Sequence, residues 1–434
     1  MAPSDLSPRV RGACPGVHAP FAGVDGALIR VRLPGGRLAS DQLRVCAGLG
    51  ALEITSRANL QVRGIPDERW ASAADALVGA GLAPPDPAAD QGRNLTASPT
   101  AGIDPGELVD TRPLGTEIVA LLAGRAGSLA PKFGVVLDGG GEVGVRGLPA
   151  DLCIGAVALA DGSVGYEVRL GEALPALDGG PLPGEAVVVP PEAATVAVAA
   201  ALGLCRAGER GAEARARHGR TMLHRHLAAR AGGRVAELPR RIGRPSINGP
   251  GLLAGPHPSR TSGMSWCGAT PLLGRLDQAA ATGLADAAQK YGTGEVRLTP
   301  WRSVLLPGVP DAVAGEACAA LARCGFSVDP ADPVHRVIAC AGQAGCPQGL
   351  TDTVADATRL VTALRVAPGR TLPVRIHFSG CPKLCADRRP DGLTLVGGPR
   401  PGRYDLYRAG ALAEAGLDPD AALGALTTHG RDGA

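Results

Sequence analysis

The stretch from Val334 to Asp387 reads VHRVIACAGQAGCPQGLTDTVADATRLVTALRVAPGRTLPVRIHFSGCPKLCAD, and it decides the fold. Two short β-branched runs, HRVIA and VRIHF, flank an apolar-periodic segment that is long enough for one helix. Two such runs joined by a helix are typical of a βαβ unit, in which the strands are parallel. We therefore predict an α/β unit over this part of the chain.

Four cysteines follow the two predicted strands as two pairs, spaced C-x5-C and C-x3-C. They are Cys340 and Cys346 in the first pair and Cys381 and Cys385 in the second. Both pairs should lie at the carboxyl edge of the sheet, where open α/β sheets bind ligands. Pro347 suits the first position of the helix, so the helix N-terminus is expected to face the thiolates.

Four thiolates at one edge suit an iron–sulfur cluster or zinc. Zinc sites usually use the tighter C-x2-C spacing, so this pattern favours a [4Fe-4S] cluster over zinc or four ordinary buried cysteines. The remaining seven cysteines show no such spacing, and most are predicted to be small core residues: Cys14, Cys46, Cys153, Cys205, Cys267, Cys318 and Cys324.

The chain also contains an internal repeat. Residues 295–311, EVRLTPWRSVLLPGVPD, align with residues 51–67, ALEITSRANLQVRGIPD, at an offset of 244. Residues 106–124 align with the helix between the cysteine pairs at an offset of 242. Chance similarity of Ala-rich helices is the alternative, but strands, turns and helices recur in order. We predict a first repeat over about 21–205 and a second over about 258–426.

Each repeat reads as a ferredoxin-like half domain, β-α-β-β-α, followed by an α/β unit. The fold class is therefore α+β with α/β units, duplicated in tandem about a pseudo-two-fold axis. The predicted domains are a leader (1–20), a first half domain (21–90), an α/β unit without cluster ligands (91–205), an Arg-rich linking segment (206–257), a second half domain (258–330) and an α/β unit that carries the cysteines (331–434).

Composition indicates a globular protein, with 45% apolar and 20% charged residues in 434. A net charge of +3 does not argue for a nucleic acid or membrane partner. No apolar run reaches the roughly 20 residues that span a bilayer, and no export signal is visible. Eleven cysteines then indicate thiols and metal ligands in the cytoplasm. The Arg-rich segment 206–251 is interpreted as a solvated linking helix rather than a partner site.

This layout resembles the sulfite/nitrite reductase superfamily, whose G-C-P-x-x-C motif is similar to Gly380–Cys385 here. The resemblance implies that the four cysteines bind [4Fe-4S], that the last one bridges to sirohaem iron, and that the first repeat supplies basic substrate ligands. Its T-R-x-x-x-Q, R-N and P-x-K-F motifs are similar to residues 56–61, 93–94 and 131–133. Because Arg binds carboxylates in bidentate fashion, the substrate candidates are Arg57, Arg63, Arg93, Lys132 and Arg302.

Two residues depart from the reductase pattern. Gly134 stands where sulfite reductases commonly have a second lysine, and Lys383 stands where reductases usually have Asn. The phrase EVRLTPWR, residues 295–302, is similar to the precorrin-3B synthase branch of the superfamily. That resemblance implies a [4Fe-4S] cluster, a mononuclear non-haem iron, NADH and O2, with hydroxylation of precorrin-3A and closure of a γ-lactone in aerobic cobalamin biosynthesis.

O2 chemistry at a mononuclear iron commonly uses two His and one carboxylate, and His335 and His377 are the candidates that flank the cysteines. Trp301 either stacks on a tetrapyrrole or is a core residue, and the core is the default. The expected partners are precorrin-3A, O2 and an electron-donor protein. Two other functions remain open from the same cysteines: a sirohaem-dependent sulfite or nitrite reductase, and a non-enzymatic iron–sulfur electron-transfer protein.

Overall fold

The computed structural model describes residues 15–159, 161–174, 186–231, 234–236, 249–366, 374–389 and 391–429. Most of the predicted leader, including Cys14, lies outside these residues. The strands are β1 (Phe21–Ala22), β2 (Ala27–Val31), β3 (Arg37–Ala39), β4 (Ala51–Ile54), β5 (Leu60–Ile65), β6 (Leu95–Ala97), β7 (Val135–Asp138), β8 (Leu152–Ala158), β9 (Val164–Leu170), β10 (Ala186–Val189), β11 (Arg234–Ala236), β12 (Gly255–Pro258), β13 (Met264–Ala269), β14 (Arg275–Leu276), β15 (Glu295–Leu298), β16 (Val304–Pro310), β17 (Val337–Ala339), β18 (Ile376–Ser379), β19 (Leu393–Gly397), β20 (Tyr404–Arg408) and β21 (Ala411–Leu417).

The helices follow the apolar periodicity of the sequence. They are α1 (Ser40–Leu49), α2 (Trp70–Gly79), α3 (Pro87–Gly92), α4 (Arg112–Ala123), α5 (Ala194–Gly203), α6 (Gly211–His218), α7 (Arg220–Ala231), α8 (Pro250–Leu253), α9 (Gln278–Tyr291), α10 (Ala314–Arg323), α11 (Gly342–Gly345), α12 (Thr353–Val366) and α13 (Pro419–His429). Among the residues that the structure describes, no helix is both long and apolar enough to cross a membrane.

The first half domain is an antiparallel sheet of order β1-β2-β5-β4 with α1 and α2 packed on it. β4 and β5 are joined by a tight turn in which Ala58 has a φ of 55°. The second helix of this half domain starts with a 3-10 turn over Asp67–Arg69 and continues as α2. The predicted order β-α-β-β-α is present, with the short strands β1 and β3 in addition.

The two half domains exchange strands. β3 of the first repeat leaves its own sheet and pairs with β15 of the second, with Leu38 opposite Val296. β14 of the second repeat pairs with β4 of the first, with Leu276 opposite Leu52. Each five-stranded sheet is therefore completed by the other repeat, and buried residues of both half domains form one hydrophobic core. Because each repeat supplies an edge strand to the other, neither sheet is complete by itself.

The two α/β units share one plan. In the first unit β6, β7 and β8 are parallel, and β9, β10 and β11 continue the sheet antiparallel. In the second unit β17, β18 and β19 are parallel, and β20 and β21 continue it antiparallel. Helices α4 and α12 connect the first two strands of each sheet, as the repeat predicts. Each unit encloses its own hydrophobic core.

The predicted linking segment is largely part of the first α/β unit. Ala214 in α6 and Leu227 in α7 are buried in the core of that unit. β11 adds a strand to the edge of its sheet. The interpretation of this segment as a solvated linking helix therefore fails for α6, α7 and β11, because apolar residues spaced among its arginines cover the sheet. Residues 232–233 and 237–248 lie outside the described part of the chain.

Candidate functional site

The four cysteines of the second repeat lie on two loops at one edge of its sheet. β17 and β18 are parallel, with Ala339 opposite Phe378. The Cys340 N–H donates to the Phe378 carbonyl at 3.0 Å, which extends the ladder by one residue. Cys381 follows just after β18 ends at Ser379. Because parallel strands that are paired in register end at the same edge, the two cysteine loops are neighbours.

The sulfur of Cys340 accepts two backbone hydrogen bonds. The N–H groups of Gly380 and Gly342 lie 3.1 and 3.4 Å from Sγ. A Cβ at Gly380 would lie only 3.1 Å from the Gly342 Cα and 3.3 Å from the Gly349 Cα, so any larger residue would push these loops apart. Backbone N–H groups directed at a cysteine sulfur are an environment that suits a cluster-bound thiolate.

The other three cysteines lie on the same two loops. Cys346 and Cys381 are half-buried, and Cys385 is exposed. Burial raises the pKa of the Cys385 thiol, Lys383 lowers it, and the thiols of Cys381, Cys340 and Cys346 raise it further. The four sulfurs are therefore close enough to influence one another electrostatically.

A single metal ion makes a different geometric demand from a cluster. Among the residues that the structure describes, no three His, Cys, Asp or Glu side chains are grouped so that they could hold one metal ion. In a [4Fe-4S] cluster each cysteine binds a different iron, so the sulfurs need not converge on one point as they do around zinc.

The helix that follows the first cysteine pair begins at Thr353. The prediction that Pro347 is its first residue is therefore wrong. Pro347 instead lies in a loop, and the Leu350 N–H of this loop donates to the Gly380 carbonyl at 2.8 Å. This bond ties the first cysteine loop to the second. The Thr353 hydroxyl donates to the Cys340 carbonyl at 2.8 Å, so the start of α12 still adjoins the first cysteine.

The equivalent place in the first repeat is filled by side chains. The Ser98 hydroxyl donates to the Val143 carbonyl at 2.6 Å. Asp104 accepts from the Val143 N–H at 2.9 Å and from the Gly106 N–H at 2.8 Å. Hydrogen bonds therefore hold these loops together. At the offset of 242, Ser98, Asp104, Gly139 and Val143 stand in the places of Cys340, Cys346, Cys381 and Cys385.

Glu107 lies against the loops of this counterpart site. Its Oε2 accepts from the Gly102 N–H at 2.6 Å, and its side chain leaves no room for a Cβ at Gly139. Among the described residues, none donates a hydrogen bond to its Oε1. Burial raises the pKa of Glu107 to about 7, although the hydrogen bond from Gly102 opposes the shift. The carboxyl group of the folded chain therefore keeps its proton over more of the acid range than an exposed glutamate does.

Two of the predicted substrate ligands contact the cysteine loops instead. Arg63 is buried, and its Nη2 donates to the carbonyl of Gly345 at 2.6 Å. Arg302 is also buried, and its Nη2 donates to the carbonyl of Ala386 at 2.9 Å. These guanidinium groups are engaged inside the protein and are not open to a substrate carboxylate. Their predicted role as substrate ligands is therefore corrected to one of contact with the cysteine loops.

Arg93 is engaged in a similar way within the first repeat. Its Nη2 donates to the carbonyls of Arg32 and Leu82 at 2.7 and 2.6 Å. Burial lowers the pKa of Arg93, and the nearby Asp90 opposes that shift. These contacts make Arg93 a link between the half domain and β6, which is not the predicted role of a substrate ligand.

Arg57 and Lys132 are the two predicted ligands that lie at the surface. Arg57 belongs to the tight turn between β4 and β5, and a Cβ at Gly134 would lie 3.9 Å from its Nη1. Lys132 has a φ of 68°, a conformation that a non-glycine residue rarely adopts. The two side chains therefore come from neighbouring loops. The same turn adjoins the cysteine loop through Arg302, whose Nη1 lies 3.4 Å from the Ile54 carbonyl.

The two candidate iron-binding histidines lie in different surroundings. His335 is held by a hydrogen bond of 2.7 Å between its Nε2 and the Asp329 carbonyl. His377 is fully buried in β18, and its pKa is lowered to about 4, chiefly by burial. Neither ring nitrogen of His377 has a hydrogen-bond partner among the described residues. Among the described residues, neither histidine belongs to a group of three His, Cys, Asp or Glu side chains that could hold a metal ion.

Trp301 is partly buried and packs against apolar side chains, among them Val145 and Leu305, which fits its default assignment to the core. Sequence reasoning missed a group of charged residues behind the cysteine loops: Asp25, Glu53 and Arg275. Glu53 lies in the apolar strand β4 and carries no motif. Only the strand exchange brings Arg275 beside it, with Arg275 opposite Glu53 in the ladder.

Comparison with known families identifies the class. The nitrite/sulfite reductase ferredoxin-like half domain matches residues 23–79 and again 257–324, which confirms the duplication. The nitrite and sulphite reductase 4Fe-4S domain matches residues 88–225, the α/β unit without the cysteine pairs. With a relative that is 31% identical over 97% of the chain, these matches place the chain in the nitrite/sulfite reductase superfamily. It is an enzyme of the oxidoreductase class.

The relative in question is precorrin-3B synthase from Sinorhizobium sp, of which the chain covers 88%. The predicted resemblance to that branch is thus confirmed. Ferredoxin–nitrite reductase from Leptolyngbya laminosa is 30% identical over 89% of this chain and 81% of its own. The solved structure of the NirA protein of Mycobacterium tuberculosis shares the fold, with a TM-score of 0.68 and 20% identity over 90% of this chain and 76% of that one.

Replacing Glu107 with Gln should change how stability depends on pH. Because the carboxyl is protonated up to about pH 7 in the folded chain and ionises near 4.5 in the unfolded chain, the folded state binds more protons between these values. Stability therefore falls as pH rises through that range. Gln does not titrate, so we expect the variant to gain on the order of 1–3 kcal/mol relative to the wild type between about pH 5 and pH 8.

Urea denaturation at about pH 5 and about pH 8 measures the free energy of unfolding of the variant and of the wild type. Glu316→Gln, a substitution on the exposed face of α10, is the matched control and should show the pH dependence of the wild type. An equal stability difference between Glu107→Gln and the wild type at the two pH values would contradict the prediction.

Proposed function

We propose that the chain is a precorrin-3B synthase-type monooxygenase of the cytoplasm. It would use O2 and NADH to hydroxylate precorrin-3A, with formation of a γ-lactone, in aerobic cobalamin biosynthesis. The observation that carries the proposal is the end-to-end similarity to precorrin-3B synthase, over 97% of this chain and 88% of the relative. The reductases match over less of the chain, 89% for the relative from Leptolyngbya laminosa.

The cysteine loops support a [4Fe-4S] cluster on Cys340, Cys346, Cys381 and Cys385. The two loops adjoin at one sheet edge, and two N–H groups are directed at the Cys340 sulfur. Three of the thiols are half-buried, and only Cys385 is exposed. When bound, the cluster would supply single electrons. The protein would shield it on three sides and leave the Cys385 side open to a second redox group or substrate.

Exposed cations of the first repeat support binding of an anionic tetrapyrrole. Precorrins carry many carboxylates, and a guanidinium binds a carboxylate through two parallel hydrogen bonds. Arg57 and Lys132 lie on neighbouring exposed loops. Arg302 joins the Arg57 turn to the loop that carries Cys385, since its guanidinium contacts the carbonyls of both Ile54 and Ala386. A substrate held by Arg57 and Lys132 would therefore lie beside the cysteine loops.

We propose no residue of this chain as a ligand of the mononuclear iron that the precorrin-3B synthase branch uses. His335 is already hydrogen-bonded to the Asp329 carbonyl. His377 lies within the electrostatic influence of Arg375, Arg302 and Arg389, whose positive charges oppose a bound cation, with Asp387 as the opposing negative charge. The proposal therefore rests on the cluster and the substrate, and an electron-donor protein remains part of it.

A sirohaem-dependent nitrite or sulfite reductase is the second candidate function. It is favoured by the 30% identity to ferredoxin–nitrite reductase over 89% of the chain. The exposed Cys385 also fits the cysteine that bridges to sirohaem in that resemblance. Gly134, in the place of the second lysine, weakens the case for a sulfite-reducing pocket. The non-enzymatic interpretation is set aside, since the chain belongs to a superfamily of enzymes.

Turnover of precorrin-3A tests the choice between these functions. The purified protein, incubated without oxygen with precorrin-3A and then supplied with O2 and NADH, should yield the hydroxylated lactone, detected by mass as a gain of oxygen. Its visible spectrum should lack a Soret band. A strong Soret band with reduction of nitrite, and no O2-dependent product, would establish the reductase instead.

Replacing Cys385 with Ser should destroy or strongly diminish the cluster, because one of four thiolate ligands is lost. Iron and sulfide content and the electron paramagnetic resonance (EPR) signal of the reduced protein measure the effect. Cys324→Ser, at a half-buried cysteine outside the two loops, is the control and should retain the cluster. An unaltered signal in Cys385→Ser would remove this residue from the proposed ligands.

Replacing Lys132 with Ala should weaken substrate binding and leave the cluster intact. Loss of one charge-assisted contact should raise KM for precorrin-3A roughly tenfold or more. Steady-state kinetics measure the change, and Lys290→Ala, an exposed lysine on α9, serves as the control. Wild-type KM in Lys132→Ala would place this lysine outside the substrate site.

A further inference from the structure

Three arginines surround one buried carboxylate behind the cysteine loops. Glu53 is 7% exposed. Its Oε2 lies 3.2 Å from Arg275 and 3.7 Å from Arg63, and its Oε1 lies 3.7 Å from Arg302. Asp25 adds a second carboxylate, 3.1 Å from the Nε of Arg63. Removing this many charges from water is costly unless they are paired. A group of five charged side chains around a buried carboxylate therefore needs a structural or functional reason.

The contacts of the arginines indicate that reason. Arg63 donates to the carbonyl of Gly345, which immediately precedes Cys346. Arg302 donates to the carbonyl of Ala386, which immediately follows Cys385. One carboxylate thus positions two guanidinium groups, and each of these is bonded to a different cysteine loop. Both contacts cross from the half domains to the second α/β unit.

The backbone of Arg302 is adapted to this position. Arg302 occupies the place of Ala58 in the repeat, and the two residues have φ values of 63° and 55° in equivalent tight turns. Gly274 packs against Arg302, and Gly36 packs against Ala58. The second repeat therefore keeps a strained turn and adds a guanidinium to it, and strain of this kind is concentrated at functional sites.

The charges of the network do not balance. Three guanidinium groups face two carboxylates, Glu53 and Asp25. Two further carboxylates, Asp387 and Asp391, pair with Arg375 and Arg389, so one positive charge remains in excess next to the loops. Burial lowers the pKa of Arg302, while Glu53, Asp387 and Cys340 oppose that shift, so the first cysteine is within its electrostatic influence. In a poorly solvated interior such charges act over longer distances than in water. Net charge near an iron–sulfur cluster is one determinant of its reduction potential.

We propose that Glu53, Arg63 and Arg302 are positioning residues that fix both cysteine loops. The two guanidinium groups raise the reduction potential of the cluster between these loops, and the carboxylate of Glu53 partly offsets that effect. The inference rests on the proposed [4Fe-4S] cluster and adds to it the residues that set its potential. Reduction adds negative charge to the cluster, and an adjacent excess of positive charge stabilises the reduced state. The two half domains would thereby control the redox group that the second α/β unit holds.

The counterpart site supplies a matched control. Arg297 is 2% exposed, and its Nη1 donates to the carbonyls of Pro99 and Ala101, both at 2.9 Å. Pro99 follows Ser98 as Ala341 follows Cys340, so Arg297 holds the loop of the first repeat that lacks cysteines. Its contacts are of the same kind as those of Arg63 and Arg302, but they lie at the loop without cysteines.

The test is an anaerobic redox titration of the cluster-loaded protein, followed by EPR. Arg302→Gln and Arg63→Gln each remove a positive charge and should shift the potential to more negative values. Glu53→Gln removes a negative charge and should shift it to more positive values. Arg302→Lys keeps the positive charge, so its reduction potential should lie closer to that of the wild type than the potential of Arg302→Gln does. Arg297→Gln should lower the melting temperature and leave the potential unchanged.

Unshifted potentials in Arg302→Gln and Glu53→Gln, with full cluster content, would overturn the inference. Equal shifts in Arg297→Gln would also overturn it, because they would show a general effect of losing a buried arginine. If Arg302→Gln does not retain the cluster, the reduction potential of Glu53→Gln decides the matter. A potential that is unchanged or more negative than that of the wild type would then contradict the inference. Absence of a cluster from the wild-type protein is a separate outcome, which would refute the proposed function itself.

Discussion

The exchange of β3 and β14 between the two half domains is the constraint on which the rest of the structure depends. Each sheet obtains its last strand from the other repeat, so the two half domains form one core instead of two. The α/β units are attached to this shared core. The exchange also brings Arg275 next to Glu53, and thereby builds the charged network that reaches the cysteine loops.

The two α/β units show two ways to hold the same pair of loops together. In the first unit, Ser98 donates a hydrogen bond to the Val143 carbonyl, and Asp104 accepts one from the Val143 N–H. The side chain of Glu107 packs against Gly139 of the same loops. In the second, the equivalent positions are cysteines, and arginines from the half domains contact the loops. A duplicated scaffold has therefore kept its backbone while one site became a set of buried hydrogen bonds and the other a set of thiols.

The sequence was sufficient for the repeat, the parallel βαβ unit and the placement of both cysteine pairs at one edge, because these follow from spacing and periodicity. It did not predict the start of α12 at Thr353, since Pro347 offers an equally good local signal. It misassigned Arg63, Arg93 and Arg302, because a motif fixes a residue type and not the direction of its side chain. The strand exchange was also missed, since β3 and β14 are two or three residues long and their partners lie more than 200 residues away in the sequence.

The separation of the exchanged strands along the chain bears on how the protein is made. β3 cannot find its partner β15 until nearly 300 residues have left the ribosome, and contacts of such long range form slowly. The cysteine loops are synthesised after β15, so the shared core can close before the last thiol emerges. Arg63 and Arg302 belong to the half domains that share this core, and both precede all four cysteines in the chain. The order of synthesis thus allows a cationic surface to form first, against which the late-made loops fold during maturation of the enzyme.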